Sequence, residues 1–275
     1  MNDETETRSD ETETRSDKTE TQEDGRGQQS APAERRYEAV TAYPVGDTTV
    51  ARYAYTAGEY GFDGIVIRAG GEPEPEGTLS PLDTETVAAE TAIDVATGFE
   101  IDADSPGAAS GTLDRVRSDH DVVTVRGGTA ALNRFAVEQN RVDVLAAPMR
   151  QDGDLNHVLA RAANDHNTRI EVNLGPVLRT AGGERVRHLQ RLRKLRELVD
   201  YYDAPVVVSA RPASGLELRA PRELVAVGEA IGFDPATVRA GLAEWGVIVR
   251  ESRRRRSDSF IAPGVQRVEC EEDDQ

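Results

Sequence analysis

The sequence predicts an α/β fold in which seven parallel strands close, or nearly close, into a barrel. Three observations carry this. Short β-rich runs alternate with helical patterns along residues 37–268, and strict alternation implies a parallel sheet with right-handed crossovers. Runs such as Val206-Val207-Val208 are apolar on both faces, as strands covered on both sides require. The turn after the first run, Tyr43-Pro44-Val45-Gly46-Asp47, lacks the glycine-rich phosphate fingerprint that an open doubly wound sheet usually carries there.

The strands are expected at 37–42, 63–68, 93–101, 121–126, 142–146, 169–173 and 206–210. Asp47 is placed as the cap of a helix over 48–60 that Gly61 stops, and Pro81 opens a helix over 82–91. Two shorter amphipathic helices follow at 129–139 and 156–167. The longest covers 184–203, after which Pro205 leads into the last strand. Pro221 starts a helix over 222–231 that Gly232 ends, and Asp234 with Pro235 begins the last helix, which runs toward Arg256. Outside this body, the acidic stretch 1–36 repeats its segment 3–10 at 10–17 and is nearly free of apolar residues. It is expected to be a disordered tail, with a second acidic tail at 269–275.

A chain of 275 residues suits one large domain or two small ones, and 37% hydrophobic residues suffice for one core once the tails are set aside. No apolar run nears the roughly 20 residues that span a bilayer, and the polar N-terminus is not a secretory signal. A cytoplasmic location is expected. The single cysteine, Cys270, excludes an intrachain disulfide and any cysteine-rich zinc site. Fifty Asp and Glu stand against 33 Lys and Arg, a net charge of −17, and Lys18 and Lys194 are the two lysines. That composition points to a proteome adapted to very high salt, where charge is screened within about 3 Å at 1 M. The informative signal is therefore where arginine persists, not the sum.

In a barrel, function sits at the C-terminal strand ends. Metal-dependent hydrolysis needs several His, Asp or Glu converging there. Of the four histidines, His120 precedes a strand and His157, His166 and His188 lie on helices. Glu100, with Asp102 beside it, is the acidic residue read at a strand end. The strand ends carry arginine instead: Arg68, Arg126, Arg150, Arg179 and Arg211, with Gly70, Gly71, Gly127 and Gly128 beside them to admit a close backbone. Guanidinium groups bind phosphate through paired, directional hydrogen bonds. The alternative is that each arginine pairs with a neighbouring acid. On the helix over 184–203, Leu189, Leu192, Leu195, Leu198, Val199 and Tyr202 share one side, and Arg187, Gln190, Arg193, Lys194 and Glu197 the other. Arg187, Arg193 and Lys194 are candidates for RNA or partner contact, or a solvated face. The run Arg253–Arg256 has the same two readings, phosphate or acidic-partner contact, or a favourable charge at a helix C-terminus.

Several segments together resemble one family: Tyr37-Glu38-Ala39-Val40, Glu59-Tyr60-Gly61-Phe62-Asp63-Gly64, Leu132-Asn133-Arg134-Phe135-Ala136-Val137-Glu138, Val142-Asp143-Val144-Leu145 and Asn156-His157-Val158-Leu159-Ala160. Leu192-Arg193-Lys194-Leu195-Arg196-Glu197-Leu198 and Leu218-Arg219-Ala220-Pro221-Arg222-Glu223-Leu224 continue the match. The family is ribonuclease P protein component 3, the archaeal relative of the thirty-kilodalton subunit of eukaryotic ribonuclease P, here in haloarchaeal style. The resemblance implies a TIM-like barrel related to the polymerase-and-histidinol-phosphatase metal hydrolases. Their His-x-His falls here on Thr41-Ala42-Tyr43, their Gly-x-Glu on Gly98-Phe99-Glu100, their His-Pro on Ala147-Pro148 and their Asp-x-His on Ala210-Arg211-Pro212. One ligand of the set remains. The resemblance further implies a subunit that stabilises the catalytic RNA as it removes the 5′ leader of precursor tRNA. The protein itself then binds no cofactor, magnesium sits on the RNA, and one small protein subunit is its direct partner. A metal-dependent phosphoesterase and a pure protein-interaction barrel are the competing expectations. Alanine at Arg68, Arg179 or Arg211 is expected to weaken cleavage without unfolding the barrel.

Overall fold

In the computed structural model, which describes residues 35–70, 81–257, 260–262 and 265–266, seven strands lie side by side in chain order and every adjacent pair is parallel. They are β1 (Tyr37–Val40), β2 (Gly64–Gly70), β3 (Asp94–Ile101), β4 (Val122–Arg126), β5 (Val144–Ala146), β6 (Arg169–Asn173) and β7 (Val206–Ser209). All fall within the expected runs except β2, which continues two residues further. Between and after them come α1 (Val50–Tyr60), α2 (Pro81–Thr91), α3 (Pro106–Val116), α4 (Ala130–Glu138), α5 (His157–Asp165), α6 (Gly175–Arg179), α7 (Gly182–Tyr202), α8 (Pro221–Ile231) and α9 (Pro235–Arg256). A short antiparallel pair, β8 (Phe260–Ala262) and β9 (Val265–Gln266), follows. The described residues belong to one unit, Glu34–Gln275. The expected tails, apart from Arg35 and Arg36, lie outside the described residues.

Capping chemistry sets the helix ends. Thr49, not Asp47, caps α1, its hydroxyl accepting from the Arg52 amide; the Asp47 amide instead donates to Ala213 O at 2.8 Å. Asp234 caps α9 as expected, accepting from the Ala236 amide at 2.7 Å. Gly61 and Gly232 end α1 and α8 in the left-handed conformation. Two helices were not expected. In α3, a Ser105 cap and Pro106 at the first position overcome weak apolar periodicity, and Ala109, Leu113 and Val116 are buried. The five-residue α6 follows β6 directly.

Strand alternation sorts the apolar residues into two layers. Ile65, Val95, Val123, Leu145, Ile170 and Val208 pack outward with Leu113, Leu132, Leu159, Leu192 and Leu195 from the helices. On the opposite face Ala39, Val66, Ala96, Val122, Val144 and Val207 pack with Trp245, Ile248 and Val249 of α9. The small strand residues make room for the indole, which is fully buried and donates from Nε1 to Val208 O at 2.9 Å. The arginine run of α9 then clamps the N-terminal ends of the strands. Arg253 binds Asp94 at 2.9 Å and Asp121 at 3.2 Å, Arg256 binds Asp121, and Arg255 lies 3.9 Å from Asp143. Those pairs occupy the end opposite the barrel mouth, so Arg253, Arg255 and Arg256 act within the fold; neither earlier reading of the run anticipated this.

The seam between β7 and β1 is joined by the Glu38 side chain and a backbone hydrogen bond instead of a continuous ladder. The buried Glu38 carboxylate accepts from Ser209 Oγ at 2.6 Å, Ala39 N at 3.1 Å, Ala210 N at 3.1 Å and Arg211 N at 3.4 Å, and Thr41 N donates to Pro212 O at 2.9 Å. Strand-edge donors are thus satisfied without an eighth strand. Burial pushes the Glu38 carboxyl up to about 7, and the hydrogen bonds offset this only in part. A raised carboxyl pKa means that folding favours the protonated acid. Its contribution to stability is full below about 4.5, the unperturbed value, and is lost as pH rises through about 7. Glu38→Gln is therefore expected to match the wild type near pH 4.5 and exceed it at pH 8 by up to about 3 kcal/mol. Denaturant unfolding at the two pH values measures the difference, and an equal offset at both would refute it.

Candidate RNA-contact site at the barrel mouth

The C-terminal strand ends bring four guanidinium groups against three carboxylates. Arg68 of β2 lies buried between Glu100 of β3 and Glu171 of β6, hydrogen-bonded to both. Arg211, just after β7, reaches the other Glu100 oxygen at 2.7 Å, and Arg126 Nε stands 3.6 Å from the same atom. Arg126 also binds Asp102 at 2.9 Å, and Arg150 binds Asp102 at 3.1 Å. Burial alone would raise the Glu100 carboxyl, but Arg68, Arg211 and Arg126 outweigh it and hold the group below its ordinary value. For Arg68, burial is likewise overcome by Glu100 and Glu171, which fix its charge. Arg211 is lowered, first by burial and then by the charge of Arg68. The backbone of Arg211 is left-handed at φ 46°, a conformation that costs on the order of 1–2 kcal/mol outside glycine and is held here by its contacts.

Two loops position the outer arginines through one buried amide. Asn133 of α4 accepts from Gly128 N at 3.1 Å and donates to Pro148 O at 2.8 Å and Asp154 O at 3.1 Å. This ties the loop after β4 to the loop after β5, and so Arg126 to Arg150. A Cβ at Gly127 would stand 2.1 Å from Asn133 Oδ1, and one at Gly70 2.7 Å from Glu100 O. These glycines serve internal packing, which replaces the expected approach of a ligand backbone; Gly71 lies outside the described residues.

The predicted contact residues thus divide. Arg68 is enclosed, and the expectation that its removal leaves the barrel intact is corrected: alanine there would strand two buried carboxylates. Arg126, Arg150, Arg179 and Arg211 keep part of their side chains in solvent while paired, Arg179 with Glu217 at 3.4 Å and with Ala210 O at 3.0 Å. On α7, Lys194 binds Asp154 at 2.6 Å, whereas Arg187 and Arg193 are exposed and make no ion pair with the described residues. Sequence reasoning missed Glu171 and Arg191. Glu171 sits inside β6, yet Arg169, Glu171 and Asn173 alternate along a strand expected to be buried on both faces, a polar face that signalled a charged interior. Arg191 shares a stripe with Arg187 and Lys194 at i, i+4 and i+7 spacing.

Beside this network a cleft of about 320 Å³ opens between the loop after β5 and α7. It is lined by Pro148, Met149, Pro176, Leu192 and Leu195, and also by Arg126, Arg150, Arg191, Arg211, His188 and Glu171. The donor set does not suit a divalent cation. Glu100 is surrounded by three guanidinium groups, and no group of three or more His, Cys, Asp or Glu with metal-binding geometry occurs among the described residues. Nor is any described helix long and apolar enough to cross a membrane.

Comparison with known proteins shows the family to which the chain belongs. A family model described as RNase P subunit p30 matches residues 35–257. Ribonuclease P protein component 3 of Haloarcula marismortui is 54% identical over 238 residues, covering 86% of this chain and 99% of the relative. The protein of the same name from Halorubrum lacusprofundi is 55% identical over 239 residues, covering 86% and 99%. Among solved structures, a chain from a cryo-EM structure of archaeal ribonuclease P with mature tRNA superposes with a TM-score of 0.73 at 23% identity, covering 86% of this chain and 100% of that one. That likeness supports the seven-stranded barrel. With a family model spanning nearly every described residue and haloarchaeal relatives more than half identical along their whole length, the chain belongs to the RNase P subunit p30 family.

Proposed function

We propose that this chain is a ribonuclease P subunit that holds RNA and partner proteins while the RNA performs hydrolysis of the precursor-tRNA 5′ leader. The observation that carries the reading is the occupation of Glu100 by three guanidinium groups: the mouth presents hydrogen-bond donors where a hydrolase needs free carboxylates. On this reading magnesium belongs to the RNA, one small protein subunit is the direct partner, and the complex is cytoplasmic. In molar salt the counterion contribution to phosphate binding fades, so directional guanidinium bonds and shape take over. The contact set is Arg126, Arg150, Arg179 and Arg211 at the mouth with Arg187, Arg193 and Lys194 on α7.

The combined variant Arg126→Ala, Arg150→Ala, Arg187→Ala and Arg193→Ala tests it. Each hydrogen bond to a charged group contributes about 1.5–3 kcal/mol when formed, so loss of even one or two productive contacts lowers subsaturating cleavage by about tenfold or more. Unfolding should change little, because these side chains are partly or fully exposed and Arg68 and Arg211 still hold Glu100 when Arg126 is removed. Wild-type cleavage by the reconstituted variant enzyme would remove this surface from the mechanism. Divalent-dependent phosphatase turnover by the isolated chain would favour the hydrolase reading.

A further inference from the structure

We propose that the cleft between the loop after β5 and α7 seats one unpaired RNA nucleotide, its base among Pro148, Met149, Leu192 and Leu195 and its phosphate on Arg150 and Arg191. This deepens the subunit reading above and rests on it.

The cleft combines three features that one ligand class satisfies together. Its volume of about 320 Å³ is at the small end of ligand pockets, near the size of a single nucleotide. Its walls are largely apolar, suited to the flat face of a base withdrawn from stacking. Its polar groups, charged apart from Asn173, are incompletely used. Glu171 lines the cleft with a fully buried side chain; its Oε1 is held by Arg68, but its Oε2 has no hydrogen-bond partner. The Nε of Arg126, another lining residue, is also buried and makes no hydrogen bond, with Glu100 as its ion-pair neighbour at 3.6 Å. Arg191 is exposed at the rim and forms no ion pair with the described residues.

Other ligands fit less well. Inorganic phosphate would use the guanidinium groups but leave the apolar walls empty. A carboxylate metabolite would face Glu171, and a cation would face four arginines. A nucleotide places a neutral hydrogen-bond donor toward the buried carboxylate and its negative charge toward the arginines. Glu171 Oε2 is buried without a hydrogen-bond partner, so a base that reaches it must donate to it, and the site should favour one with an exocyclic amino group. Cytosine, adenine or guanine donates there freely, whereas the single N–H of uracil is flanked by two carbonyl groups that the carboxylate repels.

The test uses reconstituted ribonuclease P containing all its subunits, irradiated to form protein–RNA cross-links that are mapped by mass spectrometry. The expected adduct joins Met149 or His188 to one nucleotide that is unpaired in the RNA. It should fall at least tenfold with Met149→Trp, which fills the cleft, and with Arg191→Glu, which repels the phosphate; neither position is fully buried, so the barrel should survive. Equilibrium dialysis of the full chain in molar KCl should show tighter binding of CMP than of UMP, with the preference lost in Met149→Trp. Adducts elsewhere on the chain but none in the cleft would overturn the nucleotide site while leaving the subunit reading intact. Absence of any RNA adduct, together with cleavage indifferent to the chain, would overturn both. Equal CMP and UMP binding would overturn the role given to Glu171.

Discussion

Arg68→Ala is expected to destabilise the chain by about 3–5 kcal/mol, because it leaves Glu100 and Glu171 buried beside an empty volume. Against a typical domain stability of about 5–15 kcal/mol, that is a large share. The loss comes from the stranded charges more than from the removed attraction. Arg68→Met combined with Glu171→Gln should therefore recover much of it, since an apolar side chain of similar length then meets a neutral amide, while Arg126 and Arg211 still hold Glu100. Thermal unfolding of the wild type and both variants decides the matter. Equal stability of Arg68→Ala and the wild type would mean that the mouth is not held by its buried ion network.

Trp245→Ala should be of similar size at the opposite end of the barrel. Deleting a fully buried indole costs about 3–5 kcal/mol in cavity and lost packing, and here Val208 O also loses its donor. At about 2–4 °C per kcal/mol for a domain of this size, the melting temperature should fall by roughly 10 °C or more. Trp245→Phe keeps most of the contact area and should lose only about 1–2 kcal/mol. If alanine were tolerated as well as phenylalanine, α9 would not be the element that fills the barrel's inner face.

Much of the fold could be read from local pattern. The seven strands were visible because most are apolar runs set between helical segments, with β6 alternating polar and apolar residues, and Gly61, Gly232 and Asp234 act at the helix ends where their chemistry placed them. The α3 helix was hidden because Gly107 and Gly111 weaken its propensity and its apolar face is narrow; the Ser105-Pro106 start was the usable sign. Pairing was beyond the sequence. Arg253 and Asp94 lie 159 positions apart, and Arg68 and Glu171 lie 103 apart, so spacing alone could not show which arginines bind acids and which remain open. Of the candidate contacts, the exposed Arg187 and Arg193 and the missed Arg191 are the least committed to the fold.

The central claim is that the mouth engages phosphates without hydrolysing them. The most direct measurement is precursor-tRNA cleavage in molar potassium with magnesium, using the isolated chain, the RNA with the remaining subunits, and the complete enzyme. The isolated chain should yield no product, and its addition to the otherwise complete mixture should raise the cleavage rate. Product from the polypeptide alone, abolished by Glu100→Ala, would contradict that account.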